Sequence, residues 1–306
     1  MGAIIQVKHL TKDFKEVKAV DDLSFTVQEG QVYGFLGQNG AGKSTTIRML
    51  LTLVKPTSGE IEILGMKLAK HRKEILKQVG AIIERPDLYK YLTALENLRI
   101  FAAMSGVKVS EKKLMDQLAM VGLAGRAHSK VKTYSQGMKQ RLGIATALVH
   151  DPKLIILDEP TNGLDPQGIA DVRNLILQLS KEMNKTLLIS SHLLSEMELI
   201  ADAMIIIDKG KKVVEGKVNE LFDPAETVVE LKTMDNNGAY EKLQQSDLQP
   251  FLQGKRNDCL LLKLHRNEIP AVLRKLVQMN IDVISFHSKH SLEDYFLSLT
   301  TGKEYV

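Results

Sequence analysis

The chain holds a single cysteine, Cys259, so no internal disulfide can form, and a reducing cytosol suits it. Long apolar runs are absent as well. The longest, such as Leu154 to Leu157 and Met204 to Ile207, are strand-sized and fall far short of the ~20 residues that cross a bilayer as a helix. The first residues contain no basic-then-apolar leader, and Gln6 stands where a myristoylation signal requires Ser or Thr. Excess charge is lacking too: 41 basic against 37 acidic residues leave +4, and the basic ones are scattered, which argues against a nucleic-acid partner. The expectation is a cytoplasmic protein without direct membrane insertion, which another chain has to recruit if it works at a membrane.

What is present describes an ordinary globule. Hydrophobic residues make up 44% and charged ones 25% of 306 residues, enough for one large domain and a small one. One stretch organises the rest. Gly37, Gln38, Asn39, Gly40, Ala41, Gly42, Lys43 and Ser44 complete the pattern G-x-x-x-x-G-K-[ST], with Thr45 next. The apolar run Val32 to Leu36 before it reads as a buried strand, and Thr45 to Leu51 after it as a helix. Glycines tolerate positive φ and close approach, so backbone N–H groups can turn inward around a phosphate chain. The helix N-terminus and Lys43 add positive charge, and the Ser44 hydroxyl can ligate Mg²⁺. The stretch predicts a site for a nucleoside triphosphate.

Taken in order, residues 4 to 8 and 23 to 27 alternate as strands. Phe14, between them, is either a core aromatic or a face on which a purine stacks. Glu60 to Leu64 and Val79 to Ile83 read as further strands, the latter running into Glu84. A mostly helical insert from about 86 to 150 follows, with a capping box at Thr93 and Glu96 and a cap at Ser110. Ser135 begins its last helix, either as a plain N-cap or, with the Gly137 N–H, as a grip on phosphate. Lys153 to Pro160 reads as a central parallel strand ending in two carboxylates. There Asp158 can hold the Mg²⁺ shell, and Glu159 can polarise the attacking water. Asp165 before Pro166 is an ordinary helix start. His192 ends the next strand, Thr186 to Ser190, at the edge where doubly wound sheets collect ligands, which favours contact with a γ-phosphate over a structural role.

Together, Phe14, Gly37 to Ser44, Ser135 to Met138, Leu154 to Glu159, Asp165 and His192 resemble, in identity and order, the nucleotide-binding domain of ATP-binding cassette transporters. The resemblance covers about residues 4 to 216. It implies an α/β P-loop fold of ABC type, with a mixed sheet, an antiparallel β subdomain and a helical insert. It also implies an ATPase working as a homodimer, each ATP held between the phosphate loop of one copy and the signature helix of the other, and driving a separate membrane permease. On that basis Phe14 stacks on adenine, Ser135 and Gly137 complete the partner copy's site, Asp165 couples the two sites and His192 senses the γ-phosphate. The implied location is cytoplasmic, on the inner face of the cell membrane. The cofactors are ATP and Mg²⁺.

Two positions depart from the family. Its signature Leu-Ser-Gly-Gly-Gln becomes Tyr134, Ser135, Gln136, Gly137, Met138. Its usual glutamine after the strand ending near 83 becomes Glu84. That glutamate and its surroundings are similar to the subgroup that exports bacitracin or confers immunity to lantibiotics. A carboxylate at 84 is expected to join Asp158 and Glu159 around one metal, as a metal and coupling ligand.

A boundary is expected near 220, with an ATPase domain before it and, over 221 to 306, a small α/β unit of ferredoxin-like kind. Its strands are expected at 227 to 231, 259 to 264 and 281 to 286, and its helices at about 267 to 279 and 291 to 300. It carries no readable motif, and its end resembles the tail of exporter-type cassettes, which implies a regulatory or dimer-supporting part. The alternatives are an exporter ATPase for another substrate (a drug, ion or lipid), a soluble ATPase of the same fold outside transport, and a nucleotide-binding regulator that does not hydrolyse. An intact set of Lys43, Asp158 and Glu159 opposes the last.

Overall fold

A computed structural model describes residues 2–221, 226–256, 258–265 and 267–289. It divides into two compact units, Met1–Val218 and Asn219–Val306.

In the first unit, β1 (Ala3–Phe14) and β2 (Val17–Gln28) form a long hairpin. Strand β3 (Val32–Leu36), buried at every position, runs into the phosphate loop, and α1 (Lys43–Leu50) follows it. Next come β4 (Ser58–Ile63), β5 (Met66–Lys67), the short α2 (Arg72–Leu76) and β6 (Val79–Ile82). The helical insert holds α3 (Ala94–Met104), α4 (Glu111–Met120) and α5 (Gln136–Leu148). Thr93 and Glu96 close the expected capping box on α3, and Ser110 accepts from the Lys113 N–H at the start of α4.

The chain then re-enters the sheet through β7 (Leu154–Asp158), α6 (Pro166–Lys181), β8 (Thr186–Ser191), α7 (Leu194–Glu198), β9 (Ala203–Asp208) and β10 (Lys211–Lys217). Lys209 and Gly210 both take positive φ, which is what a two-residue turn needs to match the twist of the β9–β10 hairpin.

Two sheets result. One has the order β2-β1-β4-β5 and is antiparallel; the other has the order β10-β9-β3-β8-β7-β6, parallel except for β10. Strands β7 and β8 are buried at every residue, because helices cover parallel strands on both faces and leave no position for a solvent-facing side chain. Side chains of the antiparallel sheet, among them Ile5, Val7 and Phe25, pack on Tyr33 and Phe35 of β3 and on Ile47 of α1. The Phe25 ring centroid lies 5.3 Å from that of Phe35 and 6.1 Å from that of Tyr33. Burying each such side chain contributes about 1.5–3 kcal/mol, so the phosphate loop rises from a well-packed core.

The helix α8 (Val218–Leu221) spans the division between the units. The second unit then reads strand, helix, strand, strand, helix, strand: β11 (Glu226–Thr233), α9 (Asn236–Gln244), β12 (Leu252–Arg256), β13 (Cys259–His265), α10 (Ile269–Gln278) and β14 (Val283–Lys289). Its antiparallel sheet has the order β12-β13-β11-β14, which is the split-βαβ, ferredoxin-like arrangement. The core joins Val229, Leu231, Leu260 and Leu262 to Leu243 of α9 and Leu276 of α10. Sequence reading overlooked α9 and β12, and started the last strand two residues early. The helix expected at 291 to 300 lies outside the described residues.

Candidate functional site

The phosphate loop is shaped by its glycines. Gly40 and Gly42 sit at φ +85° and +105°. A Cβ on Gly42 would come within 2.5 Å of the Ala19 carbonyl oxygen, so no other residue fits without moving the β2 backbone. Gly42 is also the N-cap of α1 and has no side chain with which to cap it, and the first helical N–H groups have no partner inside the helix. Gly37 donates to the Ser191 carbonyl at 3.3 Å and Ala41 to the Gln38 carbonyl at 3.0 Å, which anchors the loop at both sides of Asn39. Ser44 and Thr45 follow in the first turn, half-buried.

The Lys43 ammonium turns back into this loop. It donates to the carbonyls of Gly37 at 2.6 Å and Gln38 at 3.3 Å, and lies 3.2 Å from Glu159 Oε1. With only 5% of Lys43 exposed, this full charge is held inside the loop and satisfied there by oxygens.

Across the loop, parallel pairing sets Asp158 at the end of β7 beside Ser190 of β8. The Ser190 hydroxyl donates to Asp158 Oδ1 at 2.5 Å and accepts from the Glu159 N–H at 2.9 Å, so one serine positions both acids. Glu159 takes φ +50° there, which turns its side chain off the strand line. Its carboxylate is shared: Oε1 faces Lys43, and Oε2 pairs with His192 Nδ1 at 2.7 Å. Three expected site residues, Lys43, Glu159 and His192, thus form one chain of contacts. Asp158 Oδ2 is buried and has no hydrogen-bond partner. An orphaned anionic oxygen at this depth suits a cation, and the donor set fits Mg²⁺, which is usually held by one or two carboxylates and completed by substrate phosphate oxygens.

The expected metal trio does not form. Among the described residues no three His, Cys, Asp or Glu side chains gather as a metal site. Glu84, just past β6 and at φ +60°, is exposed, and its Oε1 meets Arg48 Nη2 of α1 at 2.5 Å. An available cation has taken the carboxylate that was expected to crowd Asp158 and Glu159.

The remaining residues lie in two other places. Phe14, at the tip of the β1–β2 hairpin, is not a core aromatic: it is 45% exposed, and Lys12 Nζ sits 4.7 Å from its ring centroid. Ser135 caps α5 by accepting from the Met138 N–H at 3.2 Å, and Asp165 caps α6 by accepting from the Gly168 N–H at 3.3 Å. These two helix starts touch, since a Cβ on Gly137 would lie 3.7 Å from Gly168 Cα. Among the described contacts, no hydrogen bond or ion pair links Ser135, Gly137 or Asp165 to Lys43, Asp158 or Glu159. Sequence reasoning passed over Ser190 and Arg48. The register of β8 on β7 could have flagged Ser190; nothing in the sequence marks Arg48.

Residues 20–162 match the family model described as ABC transporter. The bacitracin transport ATP-binding protein BcrA of Bacillus licheniformis is 45% identical, over 99% of each chain. The lantibiotic transport ATP-binding protein SrtF of Streptococcus pyogenes is 40% identical over 78% of this chain and 99% of its own. Among solved structures, a dimeric bacterial ABC transporter cassette, MJ0796, superposes with a TM-score of 0.64 at 28% identity, over 70% of this chain and 98% of that one. A glycine loop closed on a buried lysine, an acid pair at the end of a central parallel strand and near-complete relatedness to transport ATP-binding proteins lead to one conclusion: the chain belongs to the ABC transporter family and is an ATP-binding cassette ATPase.

Proposed function

We propose that this protein is the ATP-hydrolysing subunit of an exporter that removes peptide antibiotics of the bacitracin or lantibiotic type. In this reading two copies close on ATP and drive a separate membrane permease from the cytoplasmic face. The observation that carries the hydrolytic part is the Lys43–Glu159–His192 chain of contacts beside the unpartnered Asp158 oxygen. Relatedness over the whole length to a bacitracin transport ATP-binding protein supports the cargo class.

In the hydrolytic step the loop N–H groups and Lys43 bind and orient the β and γ phosphates. When ATP enters, Lys43 exchanges the Gly37 and Gln38 carbonyls for phosphate oxygens. Its hold on Glu159 loosens, which leaves that carboxylate to accept a proton from the attacking water. His192, at the far oxygen of Glu159, keeps the carboxylate aligned and would meet the γ-phosphate. Asp158 and the Ser44 hydroxyl would hold Mg²⁺, which supplies charge neutralisation between the β and γ phosphates when bound. Phe14, exposed beside Lys12, offers a ring to adenine. Among the described contacts neither Ser135 nor Gly137 bonds to Lys43, Asp158 or Glu159, which supports their serving the site of a second copy, with Asp165 linking the two. The insert beginning at Pro86 is the surface for the permease, because it follows directly on Glu84. The second unit is an accessory part.

Co-purification with a membrane-spanning permease tests the transporter reading, and growth of a deletion strain on bacitracin or a lantibiotic tests the cargo. Isolation free of any permease, together with unchanged growth on both peptides, contradicts it. Among the described residues no helix is long and apolar enough to cross a membrane, so such a partner has to supply the membrane path.

A further inference from the structure

A cavity of about 670 Å³ opens at the end of α1 opposite the phosphate loop. Its lining residues all fall between Met49 and Arg72, in the last turn of α1, the turn after it, β4, β5 and the start of α2, so neither the phosphate loop nor the helical insert contributes to it. The floor is apolar: Met49, Ile61 and Leu68 are buried, and Val54 packs against the same core. A volume between about 300 and 1,000 Å³ and a mainly apolar wall with a few polar groups are the marks of a small-molecule site.

The rim carries the charge. Lys55, Lys67 and Arg72 stand there against a single acid, Glu60, which Lys67 already holds at 3.4 Å. Among the described residues Lys55 and Arg72 make no ion pair. Arg72 is nevertheless fixed: its Nε donates to Thr52 Oγ1 at 2.6 Å, and its two outer Nη groups have no acceptor among the described residues. Thr52 takes φ +60°, a left-handed value that a β-branched residue rarely tolerates, and strain of this kind persists where the surroundings over-determine it, ligand clamps among them. The bond from Arg72 ties that strained turn to the rim. A guanidinium with its outer N–H pair free takes a carboxylate through two parallel bonds, and the Lys55 ammonium adds a second cation to the same rim. An inorganic anion would use this rim and leave the apolar floor wet. An uncharged hydrocarbon would use the floor and leave two cations unpaired. A ligand that satisfies both has an anionic head and a short apolar body.

We propose that this cavity binds an amphiphilic monocarboxylate of fatty-acid type, with its carboxylate on Arg72 and Lys55 and its chain over Met49, Ile61 and Leu68. The site is separate from the nucleotide site, and the inference goes beyond the function proposed above without resting on it.

The test is isothermal titration calorimetry of the full chain with decanoate, kept below the concentration at which it forms micelles. One decanoate binds per chain, while decanol, which has the chain without the charge, and acetate, which has the charge without the chain, each bind about tenfold or more weakly. Arg72→Gln weakens decanoate by about tenfold or more, the worth of charge-assisted hydrogen bonds, and Lys55→Gln by about two- to fivefold, the range of an exposed ion pair. A non-hydrolysable ATP analogue at saturation leaves one decanoate site per chain. Absence of saturable binding, equal binding of decanol or acetate, or loss of the site when nucleotide is bound overturns the inference. Lys55→Gln decides it if Arg72→Gln does not fold, because the Lys55 side chain makes no bond among the described residues: an unchanged decanoate affinity in that variant contradicts the proposal.

Discussion

A single hydroxyl, that of Ser190, connects the two acids to which hydrolysis is assigned above. It donates to Asp158 and accepts from the Glu159 backbone, so its loss leaves a second buried oxygen on Asp158 unpaired and frees the turn that sets Glu159 at φ +50°. Ser190→Ala is expected to weaken Mg²⁺-dependent nucleotide binding by about 10- to 100-fold, the usual worth of a group that orients a metal ligand, as read by titration of the metal. Lys43→Ala abolishes nucleotide binding or hydrolysis, because the neutralising charge at the β and γ phosphates is gone. Glu159→Gln keeps ATP binding but turns over about 10²-fold or more slowly in a phosphate-release assay, the worth of a general base. At this scale most of the site was legible, since the glycine loop and the acid pair are local motifs with a fixed physical task. The shared bonds were not. Lys43 to Glu159 spans a gap in the chain of more than 100 residues, and only the order of strands in the sheet closes it.

At the scale of elements, one carboxylate ties the strand carrying the phosphate loop to β10, at the edge of its own sheet, and to β2 of the other sheet. Glu215 of β10 accepts from the Tyr33 hydroxyl of β3 at 2.8 Å and from the Thr26 N–H of β2 at 3.2 Å. Burial, and then the adjacent Glu215 charge, push the Tyr33 hydroxyl well above its ordinary pKa, so it remains a donor through the working range. Tyr33→Phe is expected to cost about 1–2 kcal/mol in chemical denaturation, through the lost bond and the partly unsatisfied carboxylate. His150 follows α5, and its Nε2 bonds to the Val79 carbonyl of β6 at 3.2 Å. Burial is the largest influence and lowers its pKa from the usual 6.5. The folded imidazole therefore resists a proton that the unfolded one accepts. Stability is complete above pH 6.5 and falls as pH drops from there towards the folded value. His150→Gln should flatten that part of the stability–pH curve, as measured by thermal melts across the range. Helices announced by caps, such as Thr93 with Glu96 and Ser110, were readable in the sequence. Helix α9 was missed because Asp235, Asn236, Asn237 and Gly238 have the composition of a turn. Here Asp235 uses that chemistry as a helix cap, accepting from the Asn237 and Gly238 N–H groups.

At the scale of the whole molecule, each chain offers a phosphate loop with its acids and, separately, the touching helix starts at Ser135 and Asp165. The βαββαβ order of the second unit could be read in part from its alternating strands, but not its purpose, because its sequence carries no motif that names a chemistry. The proposed coupling of Glu84 to a permease would be a property of the complex: Glu84→Ala should lose transport more than it loses ATP hydrolysis, and normal transport would contradict that role. The central claim is that two identical copies enclose ATP between them. Light scattering of the full-length Glu159→Gln variant, saturated with ATP and Mg²⁺, tests it most directly, since blocked hydrolysis should trap the closed pair. A mass near twice 34.1 kDa that reverts to the single value without nucleotide is the expected result. A mass of 34.1 kDa with nucleotide demonstrably bound would contradict the claim.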